Sequence, residues 1–346
     1  LKIALDATYS VGKHLSGIGV YSREIMRGLC TAYPDARFLY CYRPHRFFQS
    51  LRDQLPSNAS RALLGDWWAP AAVDVFHGLN QRLPIKLRSL RTVCTFHDLF
   101  VLTSEYSSAD FRRRFAQQAA FAAERADLII TVSQFTAGQV ESLLRVERAR
   151  LRVVPHGVHQ PEVVPPPVAR REKLILHVGA LQRRKNLIRL VEAFEHVTPD
   201  WHLTLVGSAG FESQQIFRRI EDSPARARIH VVGYVFEGQL RDLYRRAAIL
   251  AFPSLDEGFG MPVLEAMAAG VPVLTSNRSA LPEVAGEAAV LVEPTDVGAI
   301  TAGLQKLTQD EGLRRVLAER GYERIKLFTW DAAVSKTWAV YRELLG

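Results

Sequence analysis

The chain has 346 residues, 48% hydrophobic and 23% charged, and carries a formal net charge of +8. That length exceeds one ordinary core and suits two domains of about 100 to 200 residues each, while the composition excludes a disordered or fibrous chain. Cys30, Cys41 and Cys94 are the only cysteines and show no CxxC spacing, which excludes a disulfide framework and a thiolate zinc site and fits a reducing cytosol.

The first apolar run, 2–7, already contains the charged Asp6, and no stretch reaches the roughly 18 to 20 apolar residues of a membrane span. The sequence therefore predicts neither a signal peptide nor an anchor. Further short apolar runs at 37–42, 73–78, 91–98, 128–133 and 151–157 read as strands buried on both faces, with helices over 18–33, 108–125 and 135–144. Pro161, Pro165, Pro166 and Pro167 can continue neither helix nor central strand and read as a stiff linker. The alternation then returns: strands at 174–179, 202–207, 229–233, 248–253, 271–276 and 288–294, with helices at 186–197, 237–246 and 261–269. Helices at 296–308, 311–326 and 331–344 close the chain, with Trp330 and Trp338 as packing anchors.

Strand–helix alternation of this kind means parallel sheets with right-handed crossovers. The expected fold is α/β: two Rossmann-like, doubly wound parallel-sheet domains facing each other across a cleft. Residues 1–165 form the first domain and 166–328 the second. Residues 329–346 form a terminal helix packing back on the first. The basic excess is uneven, +7 over residues 1–165 and +1 over the remainder, so the first half faces an anionic partner or presents a solvated basic surface.

The segment Ser254 to Gly270 carries the clearest chemistry. Here the chain turns from strand into helix through glycines, with Pro262 suited to the first helical turn. The backbone N–H groups of Gly258, Phe259, Gly260 and Met261 are thus expected at the positive end of the helix, where anions such as phosphate are received. Glu257 before the turn and Glu265 within the helix can accept hydrogen bonds from sugar hydroxyls, one from a hexose and one from a ribose. Arg183, Arg184, Lys185 and Asn186 lie between a strand and a helix, where cations can neutralise a departing nucleoside diphosphate, with Lys185 and then Arg184 favoured. His97 ends a buried strand in TFHDL. Gly17 and Gly19 open a helix, and Asn80 in HGLNQRLP is expected on the acceptor side. Ser133 reads as a helix N-cap rather than a nucleophile. No HExxH, CxxC or DxD spacing occurs, so no metal site is proposed.

EGFGMPVLEAMAAGVPVLTS resembles the donor-site signature of the retaining nucleotide-sugar glycosyltransferases of family 4, the group 1 enzymes with the GT-B fold. VGALQRRKNLIRLVEAF, VVGYV, LPEVAGEAAVLVEP, ADLIITVSQFTA, VVPHGV, FHDL and SGIGVYSREI are similar to family segments in family order, so the resemblance spans nearly the whole chain. It implies that Glu257 contacts the donor sugar and Glu265 the ribose. Gly258, Phe259, Gly260, Met261 and Leu264 would line the donor site, Tyr234 and Val235 the base, and Gly17 and Gly19 the donor phosphates or acceptor. His97 would contact the donor sugar from the first domain. Ala180 stands where many members have arginine, so Arg183 or Arg184 must supply the second cation. Retention is implied, and with no carboxylate placed as nucleophile a front-face displacement is expected.

The co-substrate implied is a nucleotide-diphosphate sugar, with GDP-mannose favoured, and no further cofactor. The acceptor is a saccharide or lipid-linked saccharide in surface-polysaccharide or glycolipid assembly. Arg43, Arg46 and Arg52 with Phe47 and Phe48, and separately Arg112, Arg113 and Arg114, suit an anionic membrane surface, giving a cytoplasmic protein attached peripherally at the inner face of the membrane. No nucleic-acid partner is expected. The competing readings are a GT-B epimerase or phosphorylase and a non-catalytic nucleotide-sugar-binding protein. A dinucleotide oxidoreductase is disfavoured because no GxGxxG follows the first strand.

Overall fold

The computed structural model describes residues 1–12, 15–68, 70–87, 91–161 and 165–346. The chain divides into two compact units, the first made of residues 1–103, 109–157 and 330–346, the second of 104–108 and 158–329. The proline run straddles 162–164, which lie outside the described residues.

Unit 1 contains, in chain order, β1 (Lys2–Asp6), α1 (Gly17–Ala32), β2 (Arg37–Tyr42), α2 (Pro44–Ser50), β3 (Ala59–Leu63), β4 (Val75–Gly78), β5 (Arg91–Phe96), α3 (Phe100–Thr103), α4 (Ala109–Arg125), β6 (Leu128–Thr131), α5 (Gln134–Leu144) and β7 (Leu151–Val153). All seven strands pair in parallel in the order β3-β2-β1-β4-β5-β6-β7. Ile3 pairs with Phe38 on one side and Val75 on the other. The runs that read as continuous apolar strands are central: Ala4, Phe76, Cys94, Phe96 and Ile129 form one buried cluster. All three cysteines are buried free thiols. Two helices start at serines, of which Ser133 is the N-cap the sequence predicts. Ser16 accepts from the Gly19 N–H at 3.3 Å and Ser133 from the Thr136 N–H at 3.0 Å, each satisfying an orphan donor of the first turn.

Unit 2 contains β8 (Glu172–Val178), α6 (Leu187–Phe194), β9 (His202–Val206), α7 (Ser213–Glu221), β10 (Ile229–Gly233), α8 (Glu237–Arg246), β11 (Ala247–Phe252), α9 (Met261–Ala268), β12 (Val273–Ser276), α10 (Leu281–Ala285), β13 (Ala289–Val292), α11 (Val297–Gln309) and α12 (Glu311–Ile325). Its six strands are again all parallel, in the order β10-β9-β8-β11-β12-β13. Ile175, Leu203, Leu205, Ile249, Phe194 and Trp201 lie in its core. Close backbone approach fixes one glycine: a Cβ on Gly207 would sit 1.9 Å from the Gly179 carbonyl oxygen.

The last helix, α13 (Trp330–Leu345), belongs to unit 1 and packs on α1. Trp338 stacks on Tyr33 at 3.9 Å, and a Cβ on Gly28 would meet Val334 at 2.4 Å, so the glycine admits the helix. Five short elements, α2, β3, α3, α7 and α10, fall where the sequence predicts none. β3 is the edge strand ASRAL, too polar and Ala-rich to read as a strand without its partner. α10 starts with Pro282 in its first turn and spans five residues, too few for helical periodicity to register.

Candidate active site

In unit 2, β8 and β11 are hydrogen-bonded neighbours from which successive crossovers leave to opposite sides, the switch point at which open parallel sheets bind ligands. The loop after β8 carries the basic run, and the loop after β11 carries Glu257. A Cβ on Gly179 would lie 3.2 Å from Lys185 Cε, so the lysine stem runs closely past this glycine. Arg183–Lys185 form a single 3₁₀ turn, ended by Asn186 in the left-handed region at φ 62°, a conformation asparagine tolerates better than most side chains. The Asn186 amide donates to the carbonyls of Pro253 at 3.0 Å and Pro294 at 2.6 Å, tying this loop to the ends of β11 and β13.

Lys185 Nζ lies 2.5 Å from Glu257 Oε1, and Arg184 Nη1 lies 2.7 Å from Glu257 Oε2. All three residues are at most 9% exposed. Arg184 Nη1 also donates to the Asp256 carbonyl at 2.7 Å, Lys185 Nζ lies 4.6 Å from the centre of the Phe252 ring, and the Glu257 N–H donates to Ser279 Oγ at 3.1 Å. Burial by itself pushes the Glu257 carboxyl up, but the Arg184 and Lys185 charges outweigh it and hold the group at about 2. Two cations therefore share one carboxylate.

The turn that follows enters α9 through Gly260, whose φ of +107° and the 2.6 Å distance its Cβ would have to Leu281 Cδ2 admit only glycine. Pro262 sits in the first turn, where its missing N–H costs nothing. Gly258, Phe259 and Gly260 occupy this turn and Met261 begins the helix at its positive end, where Pro262 has no N–H and the Val263 N–H bonds the Gly260 carbonyl at 3.0 Å. The side chains of Phe259 and Leu264 are buried packing groups, Phe259 lying edge-on to Phe328 at 5.9 Å. Glu265, half-buried in α9, accepts a hydrogen bond from the Tyr244 hydroxyl of α8 at 2.8 Å; burial pushes its carboxyl up, opposed by that bond. Tyr234 is exposed, its ring edge-on to Phe236, and Val235 beside it is buried. Arg183 does not join the Glu257 cluster: it is exposed and lies 3.5 Å from Glu212. The cation beside Lys185 is Arg184.

In unit 1, His97 follows β5 and its Nε2 donates to the Leu79 carbonyl at 2.9 Å, leaving Nδ1 as the acceptor. Its ring stacks on His156 at 5.4 Å and meets the edge of Tyr21 at 4.7 Å. Burial lowers its pKa to about 4, against the Leu79 bond, so the imidazole is neutral at pH 7. Gly19 is a packing glycine: a Cβ there would meet the Tyr9 carbonyl at 2.7 Å, whereas Gly17 faces open space. Behind them runs a buried chain, Tyr21 hydroxyl to Thr95 at 3.1 Å, Thr95 to His77 Nε2 at 2.8 Å, and His77 Nδ1 to the Tyr341 hydroxyl at 2.6 Å, which ties α13 to α1, β4 and β5. Arg43, expected at a headgroup layer, is instead buried: its Nη1 bonds Asp66 at 2.8 Å, because a guanidinium this enclosed must find a carboxylate.

Sequence reasoning missed Tyr244, Ser279 and the bridging role of Asn186. The first two act through pairing across elements and leave no spacing signal. Among the described residues no group of three or more His, Cys, Asp or Glu side chains could hold a metal ion, and no helix is long and apolar enough to cross a membrane.

The family model described as Glycosyl transferases group 1 matches residues 163–324, and that described as Glycosyltransferase Family 4 matches 16–160. The chain is 29% identical to O-antigen chain mannosyltransferase B of Escherichia coli, over 98% of this chain and 99% of that one. Sucrose-phosphate synthase from Thermosynechococcus elongatus shares the fold, with a TM-score of 0.82 at 22% identity over 99% of both chains. So does Anabaena HepE in complex with UDP-glucose, with a TM-score of 0.73 at 16% identity over 98% of this chain and 99% of that one. With two all-parallel Rossmann-like sheets and family matches that between them span residues 16–324 almost without a gap, the chain belongs to the group 1, family 4 glycosyltransferases of the GT-B fold.

Proposed function

We propose that this glycosyltransferase moves a mannosyl residue, with retention, from GDP-mannose to a saccharide or lipid-linked saccharide acceptor in surface-polysaccharide assembly. The observation that carries the reading is the buried Arg184–Glu257–Lys185 cluster beside the N-terminus of α9. The two cations and the amides of residues 258–261 stabilise the departing diphosphate, a contribution typically worth about 10² to 10³ in rate per donor. Glu257 accepts from the donor sugar and Glu265 from the ribose, while Tyr234 and Val235 border the base. For His97 the reading assigns a hydrogen bond accepted from a substrate hydroxyl by Nδ1. The acceptor oxygen attacks the anomeric carbon as its bond to the phosphate oxygen breaks, and that oxygen takes the acceptor's proton. The mannosyl assignment is supported by the name of the E. coli relative.

Thermal-shift titration with UDP-, GDP-, ADP- and dTDP-sugars tests the donor, because preferential binding stabilises the folded state. GDP-mannose is expected to raise Tm most, and a larger shift with another nucleotide sugar overturns the assignment. Glu257→Gln is expected to abolish transfer. Peripheral membrane attachment rests on exposed Phe48, Trp67 and Trp68 together with the α4 arginines Arg113 and Arg114. Failure to sediment with anionic vesicles at low salt removes it.

A further inference from the structure

A third loop of unit 2, the one that leaves β12 for α10, holds the backbone of Glu257 from both sides. The Glu257 N–H donates to Ser279 Oγ at 3.1 Å, and the Ala280 N–H donates to the Glu257 carbonyl at 3.2 Å. Any residue at 280 could make the second bond, whereas the first exists only because position 279 carries a hydroxyl. That hydroxyl is fully oriented: it donates to the Arg278 carbonyl at 2.7 Å, a group that only accepts, and so presents a lone pair to Glu257. The loop on either side is anchored separately. The Asn277 N–H bonds the Val292 carbonyl at 2.9 Å, the Arg278 N–H bonds Ser276 Oγ at 3.0 Å, and the Arg278 guanidinium lies 2.7 Å from Glu293, while Leu281 closes over Gly260.

Ser279 makes this bond from an unfavourable backbone. Its φ is 57°, in the left-handed region that glycine occupies freely, asparagine tolerates and serine adopts at a cost. Such a conformation persists only where surrounding contacts over-determine it, as the anchors at 276–278 and 280–281 do here. Glycine at 279 would reverse the chain with less strain and would leave the Glu257 N–H without this acceptor. What the serine adds is therefore one hydrogen bond, and that bond ends on the residue whose carboxylate holds both Arg184 and Lys185. Without it the Glu257 peptide is free to turn on one side, and its carboxylate follows. A misplacement of about 1 Å at a reacting site is enough to cost on the order of 10² in rate.

We propose that Ser279 is a positioning residue for the transfer reaction: it holds a left-handed backbone so that its hydroxyl fixes the peptide of Glu257 and, through it, the carboxylate that serves the donor sugar. The inference rests on the role given to Glu257 above. Three substitutions separate the hydroxyl from the backbone, with turnover read as GDP release from GDP-mannose in the presence of methyl α-mannoside and stability read by differential scanning fluorimetry. Ser279→Ala and Ser279→Gly both lack the hydroxyl, and each is expected to lower kcat about tenfold or more while the Kd for GDP alone stays within error. Ser279→Gly is expected to melt about 2–4 °C above Ser279→Ala, because only it relieves the left-handed backbone. Ser279→Thr keeps the hydroxyl on a β-branched side chain, which is poorly suited to positive φ, so it is expected to melt below wild type yet to retain kcat within about threefold. Activity then follows the hydroxyl while stability follows the backbone, a crossing that a purely structural serine does not produce. Wild-type kcat in Ser279→Ala and Ser279→Gly overturns the inference, as does a kcat that simply falls in step with Tm across the variants; the first two variants decide the matter even if Ser279→Thr does not fold. A wild type that releases no GDP overturns the mannosyl-donor reading instead, a result seen before any variant is compared.

Discussion

Lys185→Met keeps most of the side-chain volume over Phe252 and removes only the charge, so it isolates what the ammonium does. In the wild-type cluster Lys185 and Arg184 lie 2.5 and 2.7 Å from the two oxygens of Glu257, two cations on one carboxylate. The substitution removes one of the two and keeps Arg184 on Glu257. A charge facing a developing phosphate oxygen at about 4 Å is worth about 4 kcal/mol at an effective dielectric near 20. That corresponds to a fall of about 10² to 10³ in kcat, the range seen for single donors to a developing anion. Structure survives, because Arg184 still pairs the buried carboxylate; the loss of one charged hydrogen bond costs about 1–3 kcal/mol. For a domain of this size each kcal/mol lowers Tm by about 2–4 °C. Nucleoside diphosphate release under saturating donor gives kcat, and differential scanning fluorimetry gives Tm. A variant with lowered Tm and kcat within about threefold of wild type would refute the reasoning and leave Lys185 a structural partner of Glu257.

Gly260→Ala places a Cβ 2.6 Å from Leu281 at φ +107°, so a loss of about 1–3 kcal/mol is expected by denaturant melting, together with weakened nucleotide affinity; an unchanged midpoint would contradict the glycine-only turn. Tyr244→Phe removes the hydroxyl that orients Glu265, and donor KM is expected to rise about two- to tenfold with kcat preserved, a split that steady-state kinetics resolves. Burial lowers the pKa values of His77 to about 3 and of His97 and His177 to about 4, and that of His156 well below its usual range. Between pH 6.5 and 4 the unfolded chain therefore binds protons that the folded chain does not. The stability these groups confer is complete above pH 6.5 and falls by on the order of 1 kcal/mol per histidine per pH unit below it. Three of the four lie in unit 1, so calorimetry from pH 7 to 5 is expected to show its transition falling further than that of unit 2; equal shifts would contradict the assignment.

How far the sequence carried the fold depended on what each segment buries. The central strands, such as LILHVG and AILAFP, lie buried within a parallel sheet, so composition alone marks them. The edge strand β3 draws its strand character from pairing with β2, a property of the neighbour that no local pattern in ASRAL records. The segment 42–52 shows the same limit at a site: its mixture of arginine and phenylalanine suits a membrane surface, yet only packing separates exposed Phe48 from Arg43, which folds inward to Asp66.

The candidate site divides along the same line. Lys185, Arg184 and Glu257 were legible because loops after strands and a glycine turn into a helix announce themselves in one dimension, and the switch-point topology then brings the two loops together. The sequence favours Arg184 after Lys185 but leaves Arg183 as an alternative, since adjacent arginines in a 3₁₀ turn point to different sides; the αL residue Asn186, stitched to Pro253 and Pro294, accompanies the arrangement in which Arg184 faces Glu257. In unit 1 the sequence singles out Arg43 and Asn80 but not their contacts: Arg43 pairs with Asp66 and Asn80 Oδ1 accepts from the Arg82 N–H, where parallel strands end side by side. A fold that repeats one sheet topology twice thus offers two such endings, and side-chain chemistry rather than the shared architecture tells them apart.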